Sequence, residues 1–349
     1  MSVPEKTAGP TRGGGAIGQA LVQRMGELTL DRHGPMALAN ADRNRPKINQ
    51  GKSLAALRNA AVGTGDSAIV IASGPSVARR EPGPAIKAAG YRGALIAADS
   101  AFVYCLRHGM VPDLVVTVDP HPTRIVRWFG DPSLESTPSQ DDYFRRQDLE
   151  PRHEQELRAN AETMELMARH AKGVRIALST SSSESVVSRV LDLGMDVHWW
   201  NPMHDDPEVP DSITTRLLGA NGMPCVNAGG NVGSASWMMA HAVLGKSRVA
   251  LVGFDFSYYA ETPYTRTQYY KEAVELVGAD NLDQVFMWVH NPHLDQWFYT
   301  DPAYMWYRIA LLDLARDAEC RTFNCTEGGI VFGDSIEFRP LKSFLAEHS

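Results

Sequence analysis

With 349 residues, 44% of them hydrophobic and 21% charged, the chain can bury one large α/β core or two modest ones, and its composition excludes overall disorder. The balance of 34 basic and 41 acidic residues, a net charge of −7, argues against a nucleic-acid partner; no apolar run reaches the ~20 residues that cross a bilayer. Met1 to Gly15 lacks the apolar core of a signal peptide, so a cytoplasmic location is expected, and the four cysteines, without the paired spacing of a zinc site, read as reduced core residues.

Residues 1–50, rich in Gly, Pro, Arg and Asn, read as an N-terminal arm with one amphipathic helix over Ala16 to Leu28. A short helix over Ser53 to Ala61 leads to the first clear strand, Ala68 to Ala72, apolar without alternation as in a parallel sheet covered on both faces. It breaks into Ser73, Gly74, Pro75 and Ser76, small residues that expose backbone N–H groups and suit a nucleotide phosphate, or form an ordinary strand-to-helix turn. Pro82 and Pro84 allow at most a short turn over Arg79 to Pro84, with a helical piece at Ala85 to Ala89. The pattern repeats. Ala94 to Ala98 is a strand ending in Asp99 and Ser100, Phe102 to His108 is a helix stopped by Gly109, and Leu114 to Val118 is a strand ending in Asp119. Three strands ending in polar residues place a cleft at one sheet edge.

Residues 124–172 read as a charged helical insertion or lid, with a loop at Pro132 to Asp142 and its clearest helix at Glu154 to Ala171. Strands return at Val174 to Leu178 and Asp196 to Trp199, separated by a helix at Glu184 to Leu193, and His204 to Pro210 reads as a solvated acidic loop. Next come Asn227, Gly229, Gly230 and Asn231, a glycine-rich turn that either holds an anion or lets the apolar helix Ser234 to Leu244 pack closely. The strand Arg248 to Val252 ends in Asp255, and the aromatic-rich stretch that follows, with Tyr258, Tyr259, Tyr264, Tyr269, Tyr270, His290 and His293, is too polar for core. It suits a sugar or heterocycle site or a subunit contact. A long helix opens at Thr300 or Asp301, a last strand lies near Arg321 to Asn324, and a short helix closes the chain.

The fold class expected is therefore α/β: a Rossmann-like, mostly parallel sheet with helices on both faces, split by a helical insertion into residues 51–123 and 173–349. Three stretches carry a resemblance: Ile69 to Ser76, Ala97 to Ser100 and Gly109 to Asp119, followed by Gly230 to Gly233 and Leu251 to Asp255. In that order they resemble the MptE-like superfamily, shared by 6-hydroxymethylpterin diphosphokinases and Maf flagellin glycosyltransferases. Tyr299 to Tyr304 and Asn324 to Gly329 look like the Maf branch. A more distant likeness is to bacterial Cst-type sialyltransferases, in which a histidine after the Gly-x-Asp-Phe strand end is the base.

The resemblance implies a nucleotide-dependent transferase, foremost a glycosyltransferase that moves a nonulosonic-acid-type sugar from a CMP-activated donor to a glycan or protein hydroxyl. Ser73 to Ser76, Asp99, Ser100, Asn227, Gly229 to Asn231 and Asp255 would bind the nucleotide. Tyr258 or Tyr259 would donate a hydrogen bond to the departing phosphate, and His290 or His293 would take the acceptor proton. No tightly bound metal is expected on that reading. The alternative is diphosphoryl transfer from ATP to a pterin, with Asp99 and Asp119 holding Mg; a non-catalytic nucleotide- or sugar-binding module is a third. The arm and the aromatic stretch are candidate contacts of a homo-oligomer.

Overall fold

The computed structural model describes residues 11–137 and 153–349. Residues 1–10 of the expected arm and 138–142 of the expected loop lie outside them. Two sheets organise the described residues. The small antiparallel one joins β1 (Thr11–Gly13), β11 (Met287–Asn291), β12 (Gln296–Thr300) and β10 (Tyr258–Tyr259) in that order. The large one has 10 strands. At its centre are β3 (Ser67–Ile71) and β4 (Ala94–Ala98), followed outward by β5 (Leu114–Thr117), β6 (Arg175–Ser179), β7 (Asp196–Met203) and β2 (Lys52–Ser53), with β8 (Cys225–Asn227) on the far end of β7. On the other side of β3 come β9 (Arg248–Val252), β13 (Arg321–Asn324) and β14 (Ile336–Phe338). Every registered strand pair in it runs parallel, as in a Rossmann-like fold.

The unbroken apolar run of β3 follows from burial on both faces. Ala68 and Val70 pack with Ile96, Val116 and Trp237 on one side, Ile69 and Ile71 with Ile86, Leu95 and Phe344 on the other. A third cluster joins β5, β6 and β7 to Phe102, Phe129, Met167 and Val186. The segment after β5 is part of that cluster, because Ile125, Val126 and Phe129 are buried in it beside the helix His153–His170.

Several elements differ from the sequence expectation. The first helix extends over Gly15–Asn44, 30 residues, instead of stopping at Leu28. Tertiary contacts hold its far half: Asn40 Nδ2 donates to the carbonyls of Pro120 and Ser181, and Asn44 Nδ2 to those of Thr180 and Ser182. The proline-rich stretch forms two helices, Ser76–Arg80 and Pro82–Ala88, hinged at Glu81 with φ 47°. Proline is tolerated there because the first turn has no partner for its missing N–H.

The aromatic stretch is a small core. Tyr258, Tyr259, Phe286, Phe298 and Tyr299 are all buried. Their polar ends are accommodated locally, with Tyr258 Oη bonded to Asp301 and Tyr299 Oη donating to the Thr262 carbonyl at 2.7 Å. Strand pairing across a hairpin, invisible in the residue types, creates this core.

Candidate active site at the carboxyl edge of the sheet

From β3 the chain first moves outward through β4 to β7, and later outward in the opposite direction through β9, β13 and β14. The order therefore reverses between β3 and β9, and the crevice beyond their carboxyl ends is where an open parallel sheet binds ligands. Four segments meet there: the turn 73–76 after β3, Asp99 and Ser100 after β4, Asp119 after β5, and 253–255 after β9.

Two of these segments are tied to each other. Asp255, 1% exposed, accepts the Ser76 amide at 3.2 Å and the Ser76 hydroxyl at 2.6 Å, while the Gly74 amide donates to the Gly253 carbonyl at 2.9 Å. A Cβ on Gly74 would lie 2.1 Å from Asp255 Oδ2, and one on Gly329, at φ 71°, 2.3 Å from the Asp255 carbonyl oxygen. These glycines are required by close packing around the carboxyl. Burial, against the opposing Ser76 bonds and the Arg79 and Arg80 charges, pushes the Asp255 carboxyl up to about 7. The turn thus directs its Gly74 and Ser76 amides into the protein.

Asp99 has the same shift and a different setting. It is 2% exposed and pushed up to about 7 by burial, with the nearby charge of Asp119 adding to the effect and the Thr117 hydroxyl and Ser100 amide opposing it. Ser100 N–H donates to Asp99 Oδ1 at 2.6 Å, and the Ser100 hydroxyl lies 2.8 Å from that of exposed Ser73. Asp119 accepts the His121 amide at 2.8 Å, the Asx turn its position before Pro120 suggests. Two carboxylates fit Mg, which takes its remaining ligands from phosphate oxygens and water; no cluster of three or more His, Cys, Asp and Glu is found among the described residues.

The glycine-rich turn forms the facing wall. Asn227 Oδ1 accepts the Gly229 amide at 3.0 Å and Asn231 Oδ1 caps the helix Val232–Met238 through the Ser234 amide at 2.9 Å, so both side chains shape the turn. Gly230 sits against Trp306 and Tyr307 of the helix Pro302–Arg316, where a Cβ would come within 2.4 Å of the indole. Tyr307 shares a hydrogen bond with Tyr269; burial pushes Tyr307 up to about 12 and Tyr269 well above its usual range, and the Asp119 charge also acts on Tyr307.

Of the expected catalytic residues, Tyr259 adjoins the contact between Ser76 and Asp255, where a Cβ on Gly328 would meet its hydroxyl, Asp255 Oδ1 and the Ser76 side chain together. Tyr258, His290 and His293 belong to the small sheet and its hairpin. His290 bonds Asp295 at 3.0 Å within the β11–β12 hairpin, and His293 stacks on Phe338 of β14 with ring centroids 4.8 Å apart. The strand order puts β14 on the opposite side of β9 from β4 and β5. Tyr258 is buried against Asp301 and the Gln268 amide. The Tyr259 ring lies under the Arg79 guanidinium at 3.7 Å. His33 on the first helix and Tyr307 come within reach of the Asp119 charge through helix packing, which no local sequence pattern marks, and the Arg124 charge also acts on His33.

Residues 39–131 match the protein family described as 6-hydroxymethylpterin diphosphokinase MptE-like. That segment contains the 73–76 turn, Asp99, Ser100 and Asp119. No curated protein sequence matches the chain. Among solved structures, the MAf glycosyltransferase from Magnetospirillum magneticum AMB-1 superimposes with a TM-score of 0.56 at 18% identity, over 89% of this chain and 39% of its own. The chain thus spans 39% of that structure's length. The resemblance to the MptE-like superfamily and the Rossmann-like architecture are borne out; the likeness to Cst-type sialyltransferases stays an expectation of the sequence.

Proposed function

We propose that this chain, with its MptE-like segment at residues 39–131, is a nucleotide-dependent transferase acting at the crevice between β3 and β9, foremost a glycosyltransferase. The observation that carries the reading is Asp99: a carboxyl 2% exposed, pushed up to about 7, standing beside Asp119 at the point where the strand order reverses. A group with that affinity takes a proton at neutral pH. In glycosyl transfer Asp99 removes the acceptor hydroxyl's proton as that oxygen bonds the anomeric carbon. The donor's phosphate leaves with the electron pair of the broken C–O bond.

The fold of a glycosyltransferase neighbour supports this reading, and the finer assignment, a nonulosonic-acid-type sugar carried on CMP, rests on the sequence resemblance. A second reading is favoured by the Asp99 and Asp119 pair: Mg bound between them would neutralise phosphate charge in diphosphoryl transfer from ATP. A panel of CMP, CDP, UDP, GDP, ADP and ATP with and without Mg tests both. A nucleotide at ~100 times its Kd adds about 2.7 kcal/mol of stability. Metal-independent stabilisation by CMP is expected; stabilisation by ATP with Mg alone would replace the first reading with the second, and no stabilisation by any nucleotide would remove both.

A further inference from the structure

The turn after β3 cannot cradle a phosphate with the amides of Gly74 and Ser76, because Gly253 and Asp255 accept them. Asn231 is engaged through both ends of its side-chain amide in shaping its own turn, and Asn227 Oδ1 accepts the Gly229 amide. Side chains carrying positive charge are strong partners for an anionic donor in this crevice.

The helix Gly15–Asn44 brings such charge. Its Asn40 is fixed over the end of β5 by the bonds to the Pro120 and Ser181 carbonyls, both 2.9 Å. His33 precedes Asn40 by two helical turns and so shares its face, roughly 10 Å back along the axis. Further back, Gly26 lies against Trp306 of the helix that packs on Gly230, so the first helix runs along the mouth of the crevice. His33 sits within reach of the charges of Asp119, Arg32 and Arg124. Beside it lies His204, whose Nε2 is buried with no hydrogen-bond partner among the described residues. The acidic neighbours of His204 are otherwise engaged: Asp205 accepts the amides of Ile213 and Thr214 at the start of the helix Ile213–Asn221. The charges of Arg32, Arg124 and Asp119 thus all act on His33, and His33 acts on His204.

We infer that the first helix is a wall of the donor site, its Arg32 and His33 holding, together with Arg124, the phosphate of the nucleotide donor. The assignment rests on the transferase reading above. It gives the crevice a division of labour: a carboxylate floor from β4 and β5 for the reacting hydroxyl, and a basic rim from the helix for the leaving phosphate.

The test uses the full chain with CMP, ATP with Mg, and inorganic pyrophosphate as probes. Wild type is expected to bind at least one of them. Arg32→Gln and His33→Gln are each expected to weaken that binding about tenfold, as loss of a charge-assisted contact does, with the unliganded melting temperature unchanged. In wild type the His33 imidazole NMR signal, assigned from its absence in His33→Gln, is expected to shift on titration. Should both variants bind as wild type does, or the His33 signal stand still at saturating nucleotide, the inference is overturned and the transferase reading survives. Failure of wild type to bind any probe removes both. If a variant does not fold, the other variant and the wild-type titration decide.

Discussion

The ends of β4 and β9 carry two carboxyls with one property in common and little else. Asp99 and Asp255 are both buried and both pushed up to about 7, with burial as the main cause. Asp255 is closed in by the Ser76 amide and hydroxyl and by three close glycines. Asp99 is bonded to its neighbouring amide and adjoins Asp119, Ser100 and exposed Ser73. A raised carboxyl affinity marks burial in either case; only the neighbours separate a structural knot from a candidate for proton transfer.

Five substitutions sharpen that contrast. The largest effect is expected for Asp99→Asn, which should lower transfer by about 1,000-fold, within the usual range for a lost acid or base, while the melting temperature holds or rises. Equal loss of fold and activity would place Asp99 with Asp255. Asp255→Ala should do the reverse: it strands the Ser76 amide and hydroxyl and should cost about 3 kcal/mol in urea unfolding, with Gly74→Ala destabilising for the steric reason.

The pH dependence follows from the same shift. An Asp releases its proton near 4 in the unfolded chain and near 7 at position 255 when folded. Between those values the folded state binds more protons, so this group's contribution to stability falls as pH rises from 4 to 7 and is level above. His204 works oppositely, since burial lowers it to about 4 and its contribution falls as pH drops from 6.5 toward 4. Asp255→Asn should therefore gain melting temperature over wild type at pH 8 and lose that gain at pH 4; a difference independent of pH would show that the carboxyl does not titrate in this window.

The smallest effect is expected at Tyr259, whose buried hydroxyl has no hydrogen-bond partner among the described residues. Tyr259→Phe should add about 1 kcal/mol of stability and leave transfer unchanged. A large loss of transfer instead would return this phenol to the departing phosphate, where the sequence had placed it.

The sequence made the architecture legible through period and punctuation. The apolar runs 68–72, 94–98 and 248–252 read as strands buried on both faces, and each ends in a polar residue at the edge where the crevice forms. Asp99 and Asp119 were identifiable for the same reason, because a strand's end is a local feature. His290 and His293 were named through the likeness to sialyltransferases; that likeness does not show the hairpin pairing that sets His290 opposite Trp297 and stacks His293 on Phe338 of β14.

What the chain alone determines is therefore which residues stand at strand ends, since buried strands need unbroken apolar runs and their ends need turn chemistry. Which of those residues face one another was decided by tertiary structure. The sharing of Asp255 with Ser76, 179 positions earlier, and the delivery of His33 to the crevice by a helix held through Asn40 and Asn44 both depend on contacts distant in sequence. Such contacts carry no local periodicity, because they arise from the packing of whole elements.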